Sequence, residues 1–261
     1  YTEVDTLSLH DALPISPDGS VYIADWYDKQ VNHYRNHEGQ MDKKLGRIYR
    51  VRNKDFDFNK KIDFTKLDQS ELLDQLNSNS RLNRRTAFHQ LKLRFGFDDL
   101  TVDWKGNPKN ATQVNYLINS GLKINLKQIN DPGVKGYAIR LLSENSGSNE
   151  YFDQFNQISL NENNKEVISQ LISSLQQIEF INRTKLITNL LLRDDLRLDP
   201  CIPLQLWWAL EAMVSNDDSF LREIFSRRNI WVSRLVHEEI LERLMRRFAA
   251  EETVEGYDMC E

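Results

Sequence analysis

The side chains that could do chemistry gather in one short stretch. Asp25, Asp28, His33, His37 and Glu38 fall within fourteen residues, beside Trp26 and Tyr27. An aspartate and a histidine brought together can act as a general acid/base pair or hold a polar ligand. We therefore take Asp25, Trp26, Asp28, His33 and His37 as candidate site residues. A structural role is the competing reading. An aspartate at a strand end accepts backbone N–H bonds, a loop histidine is solvated, and Trp26 and Tyr27 pack at a core or rim. Elsewhere the chemistry thins out. His237-Glu238-Glu239 begins like a zinc-protease helix, but position 241 is Leu. Two zinc ligands on one helical face need i, i+4 spacing, so that motif is rejected. Cys201 and Cys260 form no CxxC or CxxCH pattern, which reads as two free thiols and no structural zinc. No GxGxxG, P-loop or GxSxG occurs.

The elements that must position the candidates are short strands. Pro17-Asp18-Gly19-Ser20 is a turn signal, with Pro presetting φ and Gly tolerating positive φ. Val21 to Trp26 follows as a β-branched and aromatic strand, a polar loop runs from Tyr27 to Leu45, and Gly46 to Val51 reads as a second strand. Two strands cannot bury a core alone, so partners upstream are expected.

From Asp68 the apolar period changes from two to about 3.6. Asp68 can cap a helix carrying Leu72, Leu73 and Leu76. A second helix from Arg81 places Leu82, Ala87, Phe88 and Leu91 on one face, with Arg84, Arg85 and Lys92 outside. Asp131-Pro132-Gly133 opens another, with Asp at the cap and Pro at the first position, and Val134, Ala138 and Leu141 form its stripe. Further helices fit Lys165 to Gln177, Ile181 to Leu192 and Pro203 to Ser215. A long one from Trp231 to Ala250 buries Leu235, Val236, Ile240, Leu241, Leu244, Met245 and Phe248. The polar stretches Phe95–Asn110 and Gly147–Asn164 read as surface loops between helix pairs. Of Trp207 and Trp208, adjacent on one helix, we expect one in the core and one at a helix–helix contact. His89 reads as a packed or half-exposed helix residue, and Arg246-Arg247 as a solvated face.

Short helix, turn, longer helix is a HEAT-like unit, here with irregular spacing. The expected fold is mostly α: a HEAT-like α-solenoid preceded by the last strands of a truncated β-propeller. Residues 17–60 are assigned to a terminal propeller blade and linker, and 61–261 to the helical repeats. Residues 1–16 are set apart. Thr6 to Ile15 reads TLSLHDALPI, which resembles the translation of a short-read sequencing adapter. The competing reading, His10 and Asp11 as a metal-binding pair, rests on a lone adjacent pair.

Composition bounds the partners. The formal net charge is −5, with basic residues scattered, so there is no electrostatic reason to bind nucleic acid. No run of eighteen apolar residues exists to span a membrane. Protein partners or neighbouring domains along the solenoid are the expected contacts.

PDGSVYIADWYDKQVNHYRNHEGQMDKKLGRIYRV resembles the end of the propeller in membrane-bound dehydrogenases with a c-type haem domain, the PVC-type haem-binding proteins. Their propeller is similar to that of quinoprotein sugar dehydrogenases. NDPGVKGYAIRLLSE resembles their HEAT units, and CIPLQLWWALEAM with HEEILERLMRRFAAEET resembles the helices before their downstream domains. The resemblance covers nearly all of Pro17 to Thr253, with Phe95–Asn110 and Gly147–Asn164 weak. It implies an exported, periplasmic oxidoreductase in which electrons pass from a substrate oxidised at the propeller, with a cofactor such as a quinone, to a c-type haem. On that resemblance the chain is an internal fragment, cut near Ser16 and before the haem domain. It would carry no haem, serve locally as a scaffold and be inactive alone. A non-enzymatic HEAT-repeat protein-binding scaffold is the alternative.

Overall fold

Apolar stripes and caps place most of the helices where the chain has them. The computed structural model describes residues 20–24, 47–51, 62–96, 106–144, 149–214 and 219–260. Among these the chain is mostly helical, with eleven α-helices and one two-stranded sheet. It divides into two units at Gly96 and Phe97.

In the first unit, β1 (Val21–Ala24) pairs antiparallel with β2 (Ile48–Val51), Val21 opposite Val51 and Ala24 opposite Ile48. Arg50 Nε donates to the buried Ser20 hydroxyl at 3.0 Å. α1 (Gln69–Gln75) opens on a capping box: Asp68 accepts from Glu71 N, and Glu71 accepts from Asp68 N at 2.9 Å. α2 (Arg81–Phe95) is capped by Ser80 and packs on α1, with Leu72, Leu76, Ala87 and Leu91 buried. Its seam is narrower than expected. Leu82 lies exposed, His89 is exposed, and Arg84 is half-buried because Nη1 donates to the Ser78 and Asn79 carbonyls.

The second unit is a series of helices. α3 (Ala111–Asn119), α4 (Pro132–Glu144), α5 (Phe152–Asn161), α6 (Lys165–Ser174), α7 (Phe180–Leu191), α8 (Ile202–Val214) and α9 (Ser219–Phe225) follow in order. Alternate helices pack together: α4 on α6 and α6 on α8, then α5 on α7 and α7 on α9. α3 packs on α4, and α7 also meets α8. The core runs through Phe155, Ile168, Leu171, Leu186, Leu190, Leu206 and Leu210, all fully buried.

The contacts between helices keep a register. Asn182 Nδ2 donates to Asn149 Oδ1, and Asn189 Nδ2 to Asn156 Oδ1, each pair 33 residues apart. The same register sets Lys185 Nζ 5.2 Å from the Phe152 ring centroid. Lys165 reaches Asp195 across 30 residues at 2.9 Å, and Gln154 reaches Ile124 across the same separation. In the other layer, a Cβ on buried Gly136 would lie 3.5 Å from Gln170.

Two expectations are corrected here. Gly147–Asn164 is not a loop: α5 fills its middle. Tyr151, Phe155 and Ile158 supply a stripe at four and three residues and are buried. The long Trp231–Ala250 helix is broken. A 3-10 turn at Ile230–Val232 ends at Ser233, and the helix restarts at Arg234. Tertiary bonds force the break. Ser233 Oγ donates to Leu191 O at 2.6 Å, while Asp194 Oδ1 accepts from Leu235 N at 3.1 Å. Val236–Ile240 then winds as a π-helical turn into α10 (Leu241–Ala249), which is followed by α11 (Val254–Asp258). Leu235, Val236, Ile240, Leu244 and Phe248 are buried as expected, while Leu241 is half-buried and Met245 is left exposed.

Candidate functional site

All the residues singled out for chemistry, Asp25, Trp26, Asp28, His33, His37 and Glu38, lie outside the described residues. So do His10 and Asp11. The first strand ends at Ala24 and the second begins at Ile48, and the residues from Asp25 to Glu38 lie between them in sequence.

Within the second unit, the α3–α4 connection forms a cleft of about 510 Å³. It starts at the end of α3, where Gly121 takes φ +66°, a conformation that suits glycine. Gly121 N bonds Ile118 O at 3.1 Å and Leu122 N bonds Leu117 O at 2.9 Å, the paired pattern of a Schellman turn. The turn delivers Lys123 to Glu150 at 2.7 Å. Beyond it, Gln154 straps the chain to α5 with both ends of its amide: Oε1 accepts from Leu126 N at 2.7 Å, and Nε2 donates to Ile124 O at 3.1 Å. Tyr151 Oη accepts from Ile124 N.

The lining mixes amides with apolar groups: Asn115, Asn119, Leu122, Leu141 and Tyr151, with Lys123, Glu144 and Glu150. Asn115 Nδ2 donates to Tyr137 Oη at 2.8 Å, and Asn119 Nδ2 donates to Asn115 O at 2.8 Å. The Glu150 carboxylate raises the Lys123 pKa, which keeps the ammonium charged. Glu144 is held by Arg140 at 2.9 Å. Such a cleft can hold a small polar group through amides. No acid/base pair is assembled in it, because each charged lining group is matched to an opposite one.

A second polar cluster sits after α7. The Asp195 pKa is lowered to about 2, chiefly by the Arg193 guanidinium at 2.7 Å and also by Lys165. Next to it, Asp194 Oδ1 accepts from Leu235 N and lies 3.3 Å from Ser233 Oγ. Arg197 and Arg234 both bond Glu238. Several of these bonds join segments 30 to 42 residues apart, so the cluster works as a latch between successive helices.

The sequence pattern did not single out this cluster or the cleft. The one signal was the run Arg193-Asp194-Asp195, which looks like ordinary surface charge. Trp207 and Trp208 depart from expectation: Trp207 is half-buried and Trp208 is 54% exposed, so neither is a core residue. Cys201 and Cys260 are free thiols, as read from their spacing. Among the described residues no cluster of His, Cys, Asp and Glu could hold a metal ion, and no helix is long and apolar enough to cross a membrane. Comparison with protein-family models, with curated proteins and with solved structures finds no match to this chain.

Proposed function

We propose that the helical part of this chain is a HEAT-like repeat scaffold, whose role is to hold neighbouring domains or a protein partner in place. The observation that supports this best is the packing of alternate helices along the chain, α4 on α6 on α8 and α5 on α7 on α9. Asn149/Asn182 and Asn156/Asn189 share a 33-residue offset, and the contacts Lys165/Asp195 and Ser159/Asn189 recur at 30. Repeat proteins bury each unit against its neighbours, so contacts recur at one unit's length while the free faces remain open to partners. The cleft at the α3–α4 connection, with its matched charges, suits a packing role better than catalysis.

The resemblance of the strand segment and of NDPGVKGYAIRLLSE extends the proposal. On that reading the scaffold separates a substrate-oxidising propeller, where Asp25, Asp28, His33 and His37 would lie, from a c-type haem domain. The test uses the full product of the gene that encodes this chain. Residues 132–214 are replaced by a flexible linker of equal length, and substrate-dependent haem reduction is followed at the Soret band. The expected result is normal haem content with slowed reduction. Unchanged reduction would remove the spacer role. Absence of a CxxCH-encoding sequence from the gene would remove the redox link and leave the protein-binding scaffold.

A further inference from the structure

We propose that the exposed face of Arg222–Arg234 is a docking surface for an acidic segment of a partner protein. The segment runs against the charge of the whole chain. It carries Arg222, Arg227, Arg228 and Arg234 against one acid, Glu223, while the chain as a whole is net negative. All four arginines are exposed. Arg227 pairs with Glu223 at 2.8 Å and Arg234 with Glu238 at 3.2 Å. Among the described residues, Arg222 and Arg228 have no ion-pair partner.

Between these cations lie two exposed apolar side chains, Trp231 at 52% and Val232 at 75%. Trp231 is held in place: its indole N–H donates to Phe225 O at 2.7 Å, and its ring meets the Phe225 ring edge-on at 5.5 Å. A tryptophan fixed before binding loses little conformational freedom on binding, and Trp and Arg are the side chains that most often anchor protein interfaces.

The same geometry decides between a protein and a lipid surface. A membrane anchor needs its aromatic group to project and insert. Here the indole is tied back to its own loop and presents a fixed platform. The cations are all arginine, whose planar fork matches a carboxylate with two parallel bonds. Both features suit Asp or Glu side chains flanking an apolar residue that rests on Trp231. The inference goes beyond the scaffold reading, because it concerns one segment and holds whether or not the helices form a repeat.

The test is a random dodecapeptide array probed with the whole chain, followed by fluorescence anisotropy on the selected peptides. Bound peptides are expected to be enriched in Asp and Glu around an apolar residue. Their Kd should rise about tenfold or more in the R222E/R228E pair and in Trp231→Ala, with circular dichroism unchanged. A milder pair, R222Q/R228Q, should weaken binding less than the charge reversal. Failure to bind any peptide, selection without acidic enrichment, or a Kd untouched by these substitutions overturns the proposal. So does sedimentation with vesicles of phosphatidylcholine and phosphatidylglycerol that Trp231→Ala abolishes, which would assign the patch to lipid.

Discussion

Asp195→Asn is the substitution whose effect can be worked most fully from the structure. The amide keeps the shape of the carboxylate and one acceptor but loses the charge that Arg193 and Lys165 surround. A pKa lowered from 3.8 to about 2 corresponds to roughly 2.4 kcal/mol, at about 1.4 kcal/mol per pH unit. The Asp195 side chain is 51% exposed, so solvent screening reduces this to about 1 kcal/mol. The sign follows from linkage. The folded state holds the proton more weakly than the unfolded chain, so the contribution is full above about pH 4. It fades as the pH falls towards 2. Urea unfolding at a series of pH values, followed by circular dichroism, should show wild type more stable than the variant by about 1 kcal/mol at pH 7. The two should converge between pH 4 and pH 2. A difference that stays constant across that range would show that the carboxylate charge is not what binds the α7 end to Lys165.

Four further outcomes follow from packing and hydrogen bonding. Phe155→Ala should destabilise the second unit by about 3–5 kcal/mol, because Phe155 is fully buried in α5; calorimetry measures it. Gly136→Ala should be neutral or stabilising by up to about 1 kcal/mol, since the added methyl meets Gln170 at an ordinary 3.5 Å. Gly256→Ala should instead destabilise, because its Cβ would come 2.6 Å from the Phe248 carbonyl; thermal unfolding of the two variants side by side checks the contrast. Ser233→Ala removes the bond to Leu191 O and the contact with Val236 N, for about 1–2 kcal/mol, and hydrogen exchange should rise first at Leu235 and Val236.

How far the chain could be read in advance depends on where each signal lies. Local chemistry was legible. Asp68 caps α1 with Glu71 three residues on, and Asp131 accepts from Val134 N at 2.8 Å to open α4 at Pro132. The helices at Lys165, Ile181 and Pro203 announce themselves by apolar spacing and start within a residue of expectation. α5 was hidden because its stripe of three large groups is set among Asn, Gln and Ser. Those residues favour turns on their own, yet burial of Phe155 and Ile158 outweighs them. α3 gave a similarly short signal.

By itself, then, the sequence determined the helical character of the chain beyond Asp68, the two strands, the caps at Asp68 and Asp131 and the two unpaired thiols. Each depends on neighbours within about one helical turn or on strand alternation. Tertiary structure alone decided the rest. The break at Ser233 exists because Leu191 O and Asp194, some forty residues earlier, capture that turn. The 33-residue register arises where two asparagine pairs meet across separate helices, and Trp208 is exposed because its neighbours, not its own hydrophobicity, set which face of α8 is covered. Long-range partners of this kind leave no period in the chain, so only the folded helices reveal them.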